Sequence, residues 1–393
     1  MKIPKRIALA RGTAVLLGAA LCVSAAKSVA AEDGQAGLFA NVKSFGAKGD
    51  GKSGDTAAIR KALASLPGRG GVVYFPPGHY LTHGIAGGNH VTFRGDSAWG
   101  YRAAASGAAI LSPVKDDMKT LFDLDGSVGT RLSGLTLDGL GKGKQMHGVY
   151  ARHHGREQNI VVDDCKITGF SGSGIRLDNA WVFNIRHSMI QRNQDSGIDG
   201  TGSYDGWILD NQITANGRGG IYGARFATVT ITANRIEWNR GGGILLGPEG
   251  ANTIQIANCT FDRNYGPGID ISLDSPKRIT SANAITGNIF RRNGFLRDSE
   301  PEESVHLRLR NVKGVAVTGN TFFGGSLGGD EAKKRPPSPR YGMILQNLAG
   351  CVVANNSLYH AALEEVILDR GGHENTVIRD NPGSRREPGF DPR

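Results

Sequence analysis

The amino-acid sequence predicts an all-β protein built as a single parallel β-helix, and three observations lead to this fold class. Glycine makes up 58 of the 393 residues, about twice the usual share, without the G-X-Y period of collagen. Short phrases recur every 23 residues in the middle of the chain, with asparagine and glycine at fixed places. Between these turn residues, apolar side chains alternate as they do in short strands. A unit with three short strands is one coil of a β-helix.

Residues 1–31 have the layout of a secretory signal peptide. A basic head with Lys2, Lys5 and Arg6 precedes a short apolar run, and small residues up to Ala31 offer a cleavage site. The apolar run is too short to span a bilayer, and no later segment is long enough. We therefore expect an exported mature chain, periplasmic or extracellular, without a membrane span.

The net charge and the cysteines exclude two further classes of protein. Removal of residues 1–31 takes away five basic residues and no acidic ones, so the formal charge falls from +10 to +5. This mild bias fits an acidic partner but is far below the charge of a nucleic-acid-binding protein. The mature chain keeps Cys165, Cys259 and Cys351, which cannot all pair, so we expect no disulfide framework.

Two columns of polar residues define the repeat. The first contains Cys165, Ser188, Asn211, Asn234, Cys259, Asn288, Asn320 and Asn356, and the second contains Asn193, Asn216, Asn239, Asn264 and Asn293. Stacked asparagines can hydrogen-bond from coil to coil and satisfy buried amides, so we expect asparagine ladders in which the cysteines act as buried substitutes. A leucine-rich repeat has a similar period, but its leucine and helix signature is absent.

The start of the mature chain resembles the entry segment of the pectate-lyase-like superfamily. The resemblance lies in the run NVKSFGAKGDG at 41–51, the run DTAAI at 55–59 and the run GGVVYFPPGHY at 70–80. This superfamily contains right-handed parallel β-helix proteins of tailspike, glucanase and pectin-active types, and several chemistries occur in it. The resemblance implies a right-handed helix, binding of glycans along one face, and no particular reaction.

The sequence also predicts how the β-helix begins and ends. Residues 55–66 are predicted as a short helix with Asp55 as its N-cap, and we expect it to cover the open end of the β-helix. The β-helix domain with this N-terminal cap is predicted to span residues 32–381. Residues 382–393 lack an apolar stripe and are predicted to be a mobile tail.

Strand alternation predicts which side chains face solvent, because the residue after the isoleucine of each Gly-Ile phrase points outward. Two outward polar groups result. The first contains Tyr150, Arg152, His154, Arg176, Asp178, Asp199 and Tyr222, and the second contains Asp270, Ser272, Asp274, His306, Arg308 and Arg310. We expect them to form a groove, walled at one end by insertions at 295–304 and 324–341. The alternative is solvated surface, with Arg176 and Asp199 as an ordinary cross-strand ion pair.

The leading functional hypothesis is a polysaccharide-cleaving enzyme that acts on an acidic glycan by β-elimination. Such a lyase must offset the charge of the substrate carboxylate, remove the C5 proton and protonate the leaving oxygen. Arg152 and Arg176 are candidates to pair with the carboxylate, since guanidinium presents a planar fork. Tyr150, His154, Tyr222 or His306 are candidates to transfer protons. Tyr150, Arg152, His154, Asp270 and Arg308 are predicted to bind substrate.

Two other functions stay open. An inverting glycoside hydrolase needs two carboxylates, and the lattice of a sheet places Asp178 and Asp199 about 8 Å apart, which leaves room for a water molecule. The paired aspartates and the Gly-His-Gly strand of polygalacturonase-like proteins are absent from the groove. The third candidate is a noncatalytic glycan-binding or structural surface protein. The sequence leaves the sugar and the oligomeric state, monomer or homo-oligomer, undetermined.

No cofactor is required by these hypotheses. Asp270, Ser272 and Asp274 share one strand and form a weak candidate site for Ca²⁺. His147, His153 and His154 are close in sequence, but their spacing is more typical of surface histidines than of a metal site. We therefore predict no metal ligands.

Overall fold

Each repeat of the sequence folds into one coil of three short strands, and successive coils stack into a parallel β-helix. A computed structural model describes residues 37–96, 100, 109–152, 157–275, 280–295, 300–325 and 338–386. The predicted signal peptide and the predicted proton-transfer residue His154 lie outside these residues. Among the described residues, no helix has the length and apolar character needed to cross a membrane.

The strands, numbered β1 to β37 in chain order, form three long parallel sheets, A, B and C, and one short sheet. Sheet A contains β1 (Phe39–Asn41), β3 (Gly71–Tyr74), β6 (Val91–Arg94), β9 (Arg131–Ser133), β12 (Ile160–Asp163), β15 (Trp181–Arg186), β18 (Tyr204–Leu209), β21 (Phe226–Thr232), β24 (Ala251–Ala257), β27 (Asn283–Thr286), β30 (Val315–Thr318), β33 (Val352–Ala354) and β36 (Val377–Arg379). Sheet B contains β2 (Asp50–Gly54), β4 (Gly78–Thr82), β7 (Ala109–Pro113), β10 (Leu135–Asp138), β13 (Lys166–Thr168), β16 (Met189–Gln191), β19 (Gln212–Thr214), β22 (Arg235–Glu237), β25 (Thr260–Asp262), β28 (Ile289–Arg291) and β31 (Thr321–Phe323). Sheet C contains β5 (Ile85–Ala86), β8 (Thr120–Asp123), β11 (His147–Arg152), β14 (Ile175–Asp178), β17 (Ile198–Asp199), β20 (Ile221–Gly223), β23 (Ile244–Leu246), β26 (Ile269–Ser272), β29 (Val305–Lys313), β32 (Tyr341–Ala349) and β35 (Glu365–Asp369). The short sheet pairs β34 (Leu358–Ala362) with β37 (Gly383–Arg385).

Side chains stack in straight columns because each strand pairs in register with the strand one coil earlier. The inward column of sheet C is buried and contains Val149, Ile175, Ile198, Ile221, Ile244, Ile269, Leu307 and Met343. Sheet B contributes three buried rings, with Phe290 stacked 4.9 Å from Phe261 and 4.4 Å from Phe322. The core is therefore a continuous apolar column, and the predicted inward register of sheet C is confirmed.

The second asparagine column forms a buried hydrogen-bonded ladder. Each Nδ2 donates to the Oδ1 of the next asparagine, at 3.0 Å for Asn216 to Asn239 and 3.0 Å for Asn239 to Asn264. The same Nδ2 also donates to a backbone carbonyl of the preceding coil, such as that of Ile213 at 3.1 Å from Asn239. The backbone N–H of Asn216 donates to the Oδ1 of Asn239 as well. These bonds satisfy the buried turns and confirm the predicted ladder.

The first column forms a second ladder in which cysteines replace asparagines. The backbone N–H of Cys165 donates to Ser188 Oγ at 3.0 Å, and that of Cys259 donates to Asn288 Oδ1 at 2.9 Å. Burial raises the pKa of Cys165 to about 12 and that of Cys259 to about 11. Both thiols are therefore protonated parts of the ladder rather than nucleophiles, as the sequence predicted.

The helix α1 (Thr56–Ala64) lies between β2 and β3 and ends two residues earlier than predicted. Its buried face packs on the first strands of sheets A and C. Asp55 precedes the helix but makes no side-chain cap, because its carboxylate accepts the backbone N–H groups of Lys48 and Gly49 at 2.7 and 3.3 Å. The role of α1 as a cover for the end of the β-helix stays a prediction.

Strand β37 lies within the segment that the sequence predicted as a mobile tail. It pairs with β34 through backbone hydrogen bonds, and the side chain of Ser384 accepts the N–H of His360 at 3.1 Å. Backbone pairing at a sheet edge does not require an apolar stripe, so the composition of this segment gave no indication of the strand.

His306 was predicted to face the groove as a proton-transfer residue, and the structure places it in the interior instead. It occupies the place that Gly268 holds one coil earlier, where an added Cβ would lie 3.0 Å from the Phe290 ring. A side chain at this place therefore points inward. The His306 ring is fully buried near Phe290 and Phe322, and its Nδ1 accepts the last amide N–H of the ladder, from Asn293, at 3.2 Å.

The ladder is expected to contribute strongly to stability. Replacing Asn239 by Ala removes its two side-chain donor bonds and leaves the amide of Asn216 without its acceptor. Because each buried unsatisfied group costs about 1–3 kcal/mol, we expect the free energy of unfolding to fall by roughly 2–4 kcal/mol in urea titrations. Gln255→Ala removes an exposed amide of β24 and should cost under about 0.5 kcal/mol. Equal losses for the two variants would contradict the ladder's role.

His306 should make the fold sensitive to acid. Burial lowers its pKa from 6.5 to about 3. Below pH 6.5 the unfolded chain binds a proton that the folded chain does not, so the contribution of His306 to stability is complete above pH 6.5 and is lost as the pH falls toward 3. We expect His306→Leu to lose less stability than the unsubstituted protein between pH 7 and pH 4.5, measured as urea midpoints. Parallel losses in both proteins would exclude His306 as the titrating group.

Candidate functional site

The polar residues predicted for the first group lie in one straight column on sheet C. Register pairing places Asp123 beside Tyr150, then Arg176, Asp199 and Tyr222 on successive coils. The strands are spaced by about 4.8 Å, so neighbouring side chains of the column are in contact range. Residues that lie 27, 26, 23 and 23 positions apart in the sequence therefore form one surface.

A cleft of about 1130 Å³ opens over the first coils of this column. Its walls combine strand residues of β8, β11 and β14 with the loops before β8 and β11. The charged, histidine and tyrosine side chains that line it are Asp116, Asp117, Lys119, Asp123, Asp125, Lys144, His147, Tyr150, Arg152, Arg176 and Asp178. Five carboxylates and four cations make the lining mixed rather than uniformly basic.

Arg176 is held in place by a carboxylate beneath the surface. Its Nη1 donates to Asp199 Oδ2 at 2.8 Å, while the side chain of Arg176 keeps 28% exposure and that of Asp199 keeps 0%. The other oxygen of Asp199 accepts bonds from the backbone N–H and the hydroxyl of Thr201, at 3.2 and 2.8 Å. Asp199 was predicted as a catalytic carboxylate, but a fully buried and bonded carboxylate cannot reach a substrate. It acts on the site by orienting Arg176.

Two further predicted residues flank the column in the cleft. Arg152 pairs with Asp178 in register on the adjacent strand, and its Nη2 donates to Asp125 at 3.1 Å. Asp178 is partly exposed and accepts a bond from Asn179 Nδ2 at 2.9 Å. Both side chains therefore line the cleft as the sequence predicted.

Tyr150 and His147 come from the same strand, and the pKa of each is shifted from its usual value. Burial, followed by the nearby Asp178 carboxylate, raises the pKa of Tyr150 above its usual value of 10. Burial and then the Arg176 cation lower the pKa of His147 below 6.5. His147 Nδ1 accepts the backbone N–H of Ser173 at 3.0 Å, which leaves the proton of the neutral ring on Nε2. At neutral pH both side chains are therefore uncharged proton donors.

Tyr222 lies beyond the cleft, and its ring is covered by a cation. The guanidinium of Arg218 lies 3.4 Å from the centre of the Tyr222 ring and 3.9 Å from Asp199. One face of the Tyr222 ring, a candidate for stacking on a sugar, is thus in contact with Arg218. Tyr222 lies three coils away from Tyr150, so the structure separates two of the predicted candidates for proton transfer.

The second predicted group is a closed ionic network rather than an open site. Arg308 donates to both oxygens of Asp270 and pairs with Glu303 at 2.8 Å, and it is nearly buried. Arg310 pairs with Glu302 at 2.6 Å. Glu302 and Glu303 belong to the inserted segment before β29, so this part of the insertion contacts sheet C, and its role as a wall of the groove stays a prediction.

The same network argues against the predicted calcium site. Both carboxylate oxygens of Asp270 accept bonds from Arg308, and one also accepts the hydroxyl of Ser272. A guanidinium thus occupies the oxygens that a calcium ion would need. Across the described ranges, no group of three or more His, Cys, Asp or Glu side chains is arranged to hold a metal ion.

Sequence reasoning missed several residues of the cleft. Asp123 stands in the column one coil before Tyr150, but β8 lacks the Gly-Ile phrase that marked the later coils. Extending the register backward from Tyr150 would have identified it. Lys119 and Lys144 come from turns without a fixed place in the repeat, so no periodic signal points to them. Arg218 holds the place of Asp195 and Gly241 in the neighbouring coils, but it precedes the strand whose alternation predicts the outward residues.

Comparisons with known proteins agree with this architecture. The family model described as "Right handed beta helix region" matches residues 123–283. The mannuronan C5-epimerase AlgE2 of Azotobacter vinelandii is 27% identical over 233 residues, which cover 54% of this chain and 23% of AlgE2. Alginate lyase 7 of the same organism is 56% identical over 45 residues, 11% of this chain and 5% of the lyase. The chain spans less than a quarter of the length of these two curated relatives.

A solved structure extends the likeness over most of the chain. The DFA-IIIase of Arthrobacter chlorophenolicus A6 superimposes with a TM-score of 0.64 and 17% identity over 86% of each chain. At this identity the likeness concerns the fold alone. Together with the parallel sheets and the matched family model, it identifies the chain as a right-handed parallel β-helix protein.

Proposed function

We propose that this protein is a lyase that binds a uronate-containing polysaccharide in the cleft and removes the C5 proton of one sugar. One observation carries the proposal: Tyr150 and Arg176 are register partners on adjacent strands and face the same cleft. One is a protonated donor, and the other is a guanidinium oriented by a buried carboxylate. The names of AlgE2 and alginate lyase 7 support chemistry on uronate polymers.

The proposed roles follow from charge and position. Arg176 pairs with the substrate carboxylate, which offsets its charge and makes the adjacent C5 proton more acidic. Asp178, beside Tyr150, accepts that proton. The C5 electron pair then forms the C4–C5 double bond, the bond from C4 to the glycosidic oxygen breaks, and Tyr150 donates its proton to the leaving oxygen. Arg152 binds the neighbouring sugar. His154 remains a predicted proton-transfer residue.

A C5-epimerase would share the first step of this reaction. If a proton returned to C5 on the opposite face before the glycosidic bond broke, the configuration would invert and the chain would stay intact. The name of AlgE2 is the observation that favours this second candidate.

Inverting hydrolysis is the third candidate, with a corrected pair of carboxylates. The burial of Asp199 removes it from the predicted Asp178–Asp199 pair. Asp123 and Asp125 line the cleft with Asp178, so one of them would replace Asp199 as the partner.

Substrate and product identify the reaction. We expect the exported chain to act on polymannuronate or polygalacturonate and to leave a neutral β-glucan intact. Elimination raises the ultraviolet absorbance through unsaturated ends, hydrolysis gives new reducing ends without that rise, and epimerisation changes only the C5 signals in proton NMR. Reducing ends without absorbance would replace the lyase by a hydrolase. Binding of uronate polymers without turnover would indicate a noncatalytic glycan-binding protein instead.

Substitutions in the cleft test the proposed roles. We expect Tyr150→Phe to lower kcat about 100-fold, because it removes the donated proton while keeping the ring. Tyr204→Phe makes the same change on β18 of sheet A and should keep kcat within about twofold. Arg176→Gln should lower kcat/KM about 100-fold. Full activity of Tyr150→Phe would exclude Tyr150 as the acid, provided that circular dichroism shows the same fold.

A further inference from the structure

We propose that Arg218 forms a second anion-binding position outside the cleft, and that Arg176 and Arg218 together bind two carboxylates of one polyuronate chain. This inference rests on the proposed function and extends it along the surface. It concerns substrate binding, not the chemical step.

Arg218 is pre-organised on the surface of sheet C. Its guanidinium lies 3.4 Å from the centre of the Tyr222 ring, a distance typical of a planar cation resting on an aromatic face. The side chain of Arg218 keeps 43% exposure, so a large part of it remains accessible to solvent. A cation held in this way loses little conformational entropy when it binds an anion.

The charges around Arg218 leave an excess of positive charge. Asp199 lies 2.8 Å from Arg176 and 3.9 Å from Arg218, and in the described part of the chain no other carboxylate lies within 4 Å of either guanidinium. Asp195, which is close to Arg218 along the backbone, directs its carboxylate to Ser173 Oγ at 3.1 Å. Two guanidiniums therefore share one buried anion, and the unbalanced charge faces solvent.

The position of Arg218 fits a polymer that runs along the axis of the β-helix. Arg176 and Tyr222 are separated by two coils. The guanidiniums of Arg176 and Arg218 both extend toward Asp199 Oδ2, at 2.8 and 3.9 Å, so they are neighbours along this axis. Beyond Tyr222 the column continues with Leu245 and then with Asp270, which Arg308 neutralises. Along the described column, Arg218 on Tyr222 is thus followed by an apolar side chain and then by a neutralised carboxylate. A chain with an acid group on each sugar can reach Arg176 and Arg218 together, whereas a neutral glycan gains nothing from the second cation.

The test is the kinetics and binding of Arg218→Gln with polymannuronate. We expect KM and the Kd from isothermal titration calorimetry to rise about tenfold at low salt, with kcat changed less than twofold. The difference in Kd from the unsubstituted protein should vanish for a uronate monosaccharide, whose single carboxylate can occupy only one of the two positions. Tyr222→Phe should keep the affinity because the ring remains, and Tyr222→Leu should weaken it about threefold because the support is lost.

Arg225→Gln is the matched control. Arg225 is exposed, pairs with Glu249 at 3.1 Å, and loses the same charge on substitution, so we expect KM to change by less than twofold. Equal effects of Arg218→Gln and Arg225→Gln, or an equal loss with monosaccharide and polymer, would overturn the second position. If the unsubstituted protein neither binds nor modifies any uronate polymer, the proposed function fails instead, and the two failures are thereby distinguished.

Discussion

The structure depends on one constraint: every coil must satisfy its buried polar groups by bonding to the next coil. The turns that join the sheets of a β-helix place backbone and side-chain amides at its apolar interior, where these amides have no access to water. The asparagine ladders meet this need, since each carboxamide accepts from one coil and donates to another. The same bonds hold neighbouring coils in register, which is what keeps the columns of side chains straight.

The candidate site is a consequence of that register. Tyr150 and Arg176 are adjacent on the surface because the inward residues before them, Val149 and Ile175, are register partners in the core. The rigid sheet also allows a carboxylate to be buried under the surface, where Asp199 is fully bonded to Arg176 and Thr201. A buried carboxylate without such partners would be costly, so the surface guanidinium and the buried anion support one another.

Much of the fold could be predicted from the sequence, because period, asparagine columns and Gly-Ile phrases are local signals that a stacked solenoid repeats. The column from Tyr150 to Tyr222 followed from the same signals. The burial of individual side chains could not be predicted from these signals, and burial determines the roles of Asp199 and His306. Asp199 follows the inward Ile198 like other outward residues, yet neighbouring side chains cover it completely. His306 occupies the position that Gly268 holds one coil earlier, where the alternation of inward and outward side chains has not yet begun.

Residues in turns were the other part of the site that the sequence did not predict. Lys119 and Lys144 come from segments of irregular length, so their place over sheet C depends on how each turn folds back. A periodic pattern carries no information about such segments. The strand β37 was missed for a related reason, since its pairing uses backbone groups and the Ser384 hydroxyl rather than apolar side chains.

The central claim is that an acidic polysaccharide binds over the column of sheet C with a carboxylate on Arg176. A crystal structure of the protein with a bound uronate oligosaccharide tests it most directly. We expect a sugar carboxylate within hydrogen-bonding distance of the Arg176 guanidinium and the same sugar beside the Tyr150 hydroxyl. An oligosaccharide bound on sheet A or sheet B, with Arg176 in contact only with Asp199, would contradict it.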